Sequence, residues 1–186
     1  VSTRPGAEDV SVEEEWRRLE PTLKSLADRA VVEQYGLAGV EFSIDTTSSE
    51  IVRRAFDTFG RFVVNDISAG EDDPEMLGTV ASLGLPYVAM HKRGNPRTMD
   101  SKCEYPAGVV AALKDYFVDF SRKASEIGVN DWILDPGLGF AKTEAQNWEI
   151  LENLEAFAEI GKPILIGAAD KRFTHGDTEK ANRLAI

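Results

Sequence analysis

The 186 residues hold one cysteine, Cys103, and two histidines, His91 and His175. A lone thiol excludes a disulfide framework and a thiolate metal site, and two histidines are too few for a histidine-rich metal centre. No apolar run approaches the length of a membrane span and no charged-then-apolar leader opens the sequence. The expected setting is therefore the cytoplasm, with no membrane partner. Positive charge is scarce too: 21 Lys and Arg stand against 32 Asp and Glu, a formal net charge of −11. Nucleic acid is not an expected partner, because phosphate binding needs a basic face. A small anionic substrate stays compatible, since a few cations can collect around one inside an acidic protein.

What is present is the ordinary material of a globular fold, with enough chain for a sizeable core. No linker or low-complexity tract divides it, so residues 1–186 are read as a single, partial domain. Ser11 and Glu14 make a capping box, and the helix after it buries Trp16, Leu19, Leu23 and Leu26 at helical spacing. Pro21 lies inside that pattern and is expected to bend or interrupt the helix.

A unit then recurs: a helix, a glycine, a short apolar strand, a polar residue. Gly36 precedes VEFSI and Asp45; Gly60 precedes RFVV and Asn65-Asp66; Gly84 precedes LPYVAM and His91. Gly128 precedes WIL and Asp135, and Gly161 precedes PILI, with Asp170 and Lys171 arriving slightly later. Glycine just past a helix supplies the left-handed conformation that ends it. The strands are short, apolar on both faces and rich in Val and Ile, as parallel strands under helices should be. The spacing predicts helices over 49–59, 74–83, 107–127 and 144–160. The third carries Val109, Leu113, Tyr116, Phe117 and Phe120, a stripe for packing on the sheet or on a partner subunit.

Alternating strand and helix means a parallel α/β sheet, either doubly wound or a (β/α)8 barrel. Polar residues at nearly every strand end favour the barrel, which gathers strand ends on one face. A closed barrel typically needs about 250 residues. The expectation is an incomplete (β/α)8 TIM barrel lacking its first strand or strands and its last, as in a fragment of a longer protein.

The densest stretch is DWILDPGLGFAKT, from Asp131 to Thr143. Asp135 ends a strand, and Pro136, Gly137 and Gly139 force a tight turn where backbone and ligand can approach closely. Phe140 and Lys142 follow. An acid, an exposed ring and bare backbone suit a flat, nitrogen-rich heterocycle; the other reading is a structural Asp capping the next helix. In a barrel, Asp45, Asn65, Asp135 and Lys171 converge. Carboxylates accept from a ring N–H and an exocyclic amine, an amide both donates and accepts, and a lysine donates to a ring oxygen or nitrogen. That set fits a 2-amino-4-oxo pyrimidine edge. It also fits a buried ion network or a Schiff-base site.

Five motifs carry a resemblance: STRPGA at Ser2–Ala7, SIDT at Ser43–Thr46, NDISAG at Asn65–Gly70, MHKRGNPRTM at Met90–Met99 and DPGLGFAKT at Asp135–Thr143. In order and spacing they resemble the dihydropteroate synthases over nearly the whole sequence. The resemblance implies a folate-pathway transferase that joins 6-hydroxymethyl-7,8-dihydropterin diphosphate to p-aminobenzoate and releases diphosphate. It implies pterin contacts from Asp45, Asn65, Asp135 and Lys171, with Gly167 closing the PILIG strand and Met90 and Phe140 walling the ring. It places Thr3, Arg4 and Pro5 over the p-aminobenzoate and diphosphate, with Arg4, Lys171 and Asp45 as the catalytic set. Mg2+ is the implied cofactor, its ligand lying on the loop of an opening strand that would precede Val1, and a homodimer the implied assembly.

Three departures stand out: the opening strand, the final strand, and the segment Ala169-Asp170-Lys171, where the family usually reads Ser-Arg-Lys. Reversing one charge near an anionic substrate costs on the order of 1 kcal/mol or more at low effective dielectric. Two other readings follow: a pterin-dependent methyltransferase of the same fold, or a pterin-binding paralogue without catalysis. Of the remaining residues, His91 reads as catalytic or as a hydrogen-bonded structural histidine. Arg93 and Arg97 read as solvated loop charges in preference to cations steering anions inward, Cys103 as a loop or helix-start thiol, and His175 as solvent-facing.

Overall fold

The computed structural model describes residues 10–94, 98–169 and 171–185. The first helix, α1 (Val12–Ala27), starts where Ser11 Oγ accepts the Glu14 N–H at 3.3 Å. Only this half of the predicted capping box forms, because the Glu14 carboxylate is taken by Arg17 at 2.6 Å and Arg18 at 2.7 Å. Pro21 does not interrupt the helix. It sits on the exposed side, where the carbonyl that its missing N–H leaves unbonded faces water. A short α2 (Arg29–Gln34), which the sequence pattern did not announce, follows at once, capped by Asp28.

Four parallel strands then alternate with helices: β1 (Ser43–Asp45), α3 (Ser49–Phe59), β2 (Val63–Asp66), α4 (Met76–Leu83), β3 (Tyr87–Met90), α5 (Val109–Ile127), β4 (Trp132–Asp135) and α6 (Glu144–Leu151). A fifth segment continues the sheet through the single bridge Leu134↔Ile164, so PILI is present in place but barely paired. The last helix, α7, covers Thr178–Leu184. The predicted helix over 144–160 breaks after Leu151 and resumes as a 3-10 helix at Leu154–Ile160. Asn153 is the cause: its side-chain amide donates to the Glu149 carbonyl at 2.7 Å, competing with the helix's own ladder.

Strand order decides the architecture. The strands pair as β1-β2-β3-β4, each beside its neighbour in sequence, with the fifth segment next in line. A doubly wound sheet reverses its order at a switch point; this one winds one way only, as a (β/α)8 barrel does. The chain forms a section of such a barrel. Alternation along the strands separates two faces. Ile44, Val64, Tyr87, Ala89, Trp132 and Leu134 join the core with helix residues such as Val52, Val80, Leu113 and Phe117. The α5 stripe therefore packs on its own sheet. The other face carries Asp45, Asn65, Val88, Met90, Ile133 and Asp135, on the side that becomes the lumen of a closed barrel.

Candidate active site

The register sets the acids and the amide on one wall. Asp45, Asn65, Val88 and Ile133 are aligned across the four strands, and Met90 and Asp135 form the next aligned pair. All six point to the inner face, because side chains two apart on a strand share a side. Asn65 Nδ2 donates to Asp45 Oδ1 at 2.6 Å. Asp135 stands two strands from Asn65, about 10 Å across at ordinary strand spacing. That gap suits a two-ring heterocycle better than direct contact.

Asp66 points the other way. Fully buried, it accepts from Ser68 N and Oγ at 2.7 Å each, Gly70 N at 2.8 Å and Tyr87 Oη at 2.6 Å. It builds the loop after β2, while Asn65, its neighbour, is left to face the cavity. Burial, reinforced by this carboxylate, raises the Tyr87 phenol far above its usual pKa, so it serves as a fixed donor.

The turn after β4 is more tightly made. Gly137 N donates to Asp135 Oδ1 at 2.8 Å, and Gly139 N donates to Asn147 Oδ1 at 2.8 Å. Gly137 has φ +68, and a Cβ there would lie 2.1 Å from the His91 carbonyl oxygen. Only glycine lets these two strand ends meet. Burial pushes the Asp135 carboxyl above the usual range, against the opposing pull of the Gly137 N–H and the Lys171 and Lys142 cations. Lys171 Nζ sits 5.3 Å from the centre of the half-buried Phe140 ring, a cation-π distance.

Lys142, noted on sequence as the cation following the turn, is turned into the protein. Its amine meets His91 Nδ1 at 3.1 Å and the carbonyls of Phe140 and Gly137 at 2.9 and 3.0 Å. Burial holds Lys142 down to about 7 and, with the Lys142 charge beside it, His91 down to about 3. His91 is thus neutral near pH 7, with Nδ1 accepting from the Lys142 amine, so it is a buried, hydrogen-bonded histidine. Tyr116 packs edge-on against it at 4.8 Å.

Arg93 is not freely solvated: it lies 4.0 Å over the Tyr105 ring and donates to the Glu104 carbonyl. His175 is exposed, as expected, and pairs with Glu144 at 2.8 Å. Gly167 lies exposed beyond the bridge at Ile164. Thr3, Arg4, Pro5, Arg97 and Asp170 fall outside the described residues. Among the described residues no group of three or more His, Cys, Asp or Glu is placed to hold a metal ion. A cavity of about 1000 Å3, lined by residues including Asp72, Lys92, Arg93 and Glu104, opens beside the loop after β3 rather than over Asp45 and Asp135. Sequence reasoning missed Tyr105 and Asn147, whose roles depend on a backbone carbonyl and an amide that only the folded turn presents.

A family described as pterin binding enzyme matches residues 1–186. The chain belongs to the pterin-binding enzymes. Within that family it is similar to the dihydropteroate synthase of Synechocystis, with 38% identity over 174 residues, covering 92% of this chain and 57% of the relative. It therefore spans little more than half the length of that protein. Among solved structures it resembles the Yersinia pestis dihydropteroate synthase in complex with a sulfonamide drug, at TM-score 0.82 and 30% identity, over 93% of this chain and 60% of that one. It likewise resembles the Thermus thermophilus enzyme in complex with 4-aminobenzoate, at TM-score 0.81 and 33% identity, over 99% of this chain and 71% of that one. The family read from the five motifs is the family observed.

Proposed function

We propose that this chain carries the pterin pocket of a dihydropteroate synthase, which condenses 6-hydroxymethyl-7,8-dihydropterin diphosphate with p-aminobenzoate and releases diphosphate. The observation that carries the reading is the inner-face cluster: Asp45 joined to Asn65, and Asp135 beside Met90 two strands away. The relatives named above support the choice of reaction over methyl transfer on the same fold.

In this reading Asp135 and Asp45 accept from the ring N–H groups and the exocyclic amine, and Asn65 supplies one donor and one acceptor. Lys171, just before the 3-10 helix Arg172–Thr174 that follows the fifth strand segment, donates to the ring and sets its charge over Phe140. Met90, 4% exposed, gives one apolar wall and Phe140 the other. Diphosphate departure leaves positive charge on the pterin methylene. Two carboxylates held against the ring favour that charge, and the burial of Asp135 strengthens its share of the effect. The p-aminobenzoate amine then attacks the methylene, so no covalent enzyme intermediate is needed. Thr3, Arg4 and Pro5 belong to the p-aminobenzoate and diphosphate side.

The test is p-aminobenzoate-dependent diphosphate release by the full chain, alongside calorimetric titration with the pterin diphosphate. Release that requires Asp135, lost in Asp135→Asn together with about 100-fold of pterin affinity, is the expected result. Pterin binding without release points to a non-catalytic paralogue, consistent with Ala169 and Asp170. Unchanged binding by Asp135→Asn removes the pocket as assigned.

A further inference from the structure

One side chain binds the turn after β4 to the end of β3. The Lys142 amine, on a residue 7% exposed, reaches acceptors from two stretches of chain: His91 Nδ1 and, at 3.4 Å, the His91 carbonyl on one side, and the Gly137 and Phe140 carbonyls on the other. The amine carries two protons when neutral and three when charged, enough to hold both stretches at once. Carbonyl dipoles crowded this closely repel one another without a cation between them, and Gly137 approaches the His91 carbonyl too closely for any Cβ. The residue before the lysine adds a second constraint. Ala141 takes a left-handed φ of 51° while its carbonyl accepts from Tyr105 Oη at 3.0 Å. Such a conformation persists in a non-glycine residue only where its surroundings fix it, and here it turns Lys142 back under its own loop. The same turn delivers the Gly137 N–H to Asp135 and the Phe140 ring to Lys171.

We infer that Lys142 is a positioning residue for the pterin site. It touches no ligand; by holding Gly137 and Phe140 against β3 it fixes the Asp135 carboxylate and the Phe140 ring in the geometry that receives the bicycle. This rests on the pterin reading above.

The experiment measures the affinity of the full chain for 6-hydroxymethylpterin and the amide exchange of Gly137 and Gly139. Lys142→Met, which keeps the stem and removes the amine, is compared with Leu113→Ala, a core truncation on α5 away from the turn. Lys142→Met is expected to weaken binding by about tenfold or more and to speed exchange at both glycines. Leu113→Ala, assayed below its melting temperature, is expected to change affinity by no more than about twofold and to leave that exchange alone. Affinity retained in Lys142→Met, equal losses in both variants, or unchanged exchange would each overturn the role. If the unmodified chain takes up no 6-hydroxymethylpterin, the pterin reading fails. The exchange of Gly137 and Gly139 then tests only whether the lysine fixes the turn: faster exchange upholds that hold and unchanged exchange overturns it, while its role toward a pterin falls with the pterin reading.

Discussion

The two halves of the inner wall are built differently. On the β3–β4 side, Asp135 has a backbone donor, Gly137 is pressed against a carbonyl, and Lys142 and His91 form a buried pair beneath them. On the β1–β2 side, Asp45 is exposed and meets Asn65 through one hydrogen bond. The first half is set before any ligand arrives, at the expense of desolvated groups and a left-handed alanine. The second keeps its polar groups in water and can settle around a ring. A rigid acid on one side and an adjustable acid-amide pair on the other orient a flat molecule without demanding perfect fit from both. Changes on the β3–β4 side should therefore appear in stability as well as in binding, and changes on the β1–β2 side in binding alone.

The largest expected effect comes from His91. Its folded pKa of about 3 lies below the unfolded value near 6.5, so between these pH values the unfolded chain binds the extra proton. Stability is then complete above about pH 6.5 and declines as pH falls toward 3, by on the order of 4 kcal/mol from this residue alone. Denaturant unfolding followed from pH 7 to pH 4 measures the slope, and His91→Gln should flatten it. An unchanged slope would mean the pair beneath the turn is not as dry as described. Next comes Gly137→Ala, expected to cost about 3 kcal/mol or more, because a Cβ would lie against backbone at a φ that disfavours side chains. Gly36→Ala is the control: its φ is +65 but the space is open, so only about 1 kcal/mol should be lost. Similar losses from both, read from unfolding midpoints, would remove the close approach as the reason for glycine.

These contrasts also mark how far the sequence could be read. Strand positions were visible because each short apolar run follows a glycine and ends on a polar residue, and Asp45, Asn65 and Asp135 were found as strand ends. Their convergence needed the register, which only pairing supplies. The inward turn of Lys142 was not visible, since it depends on a left-handed Ala141 and on a histidine 51 positions away. The break at Asn153 was hidden for a similar reason, as helical spacing continues through a residue whose side chain takes the helix's own carbonyl.

The smallest effect tests the open half. Asn65→Ala removes the donor to Asp45 without creating a cavity in the core, because Asn65 is half-buried on the inner face and Asp45 remains in water. Stability should fall by less than about 1 kcal/mol, as hydrogen bonds at exposed sites contribute little net. Pterin affinity should fall about tenfold, since the ring then loses one donor-acceptor partner and meets a less directed Asp45. Titration with 6-hydroxymethylpterin and a thermal melt on the same sample separate the two effects. A melting loss as deep as that of Gly137→Ala would show that β1 and β2 are as prebuilt as the turn after β4. The contrast between a fixed acid and an adjustable pair would then have to be abandoned.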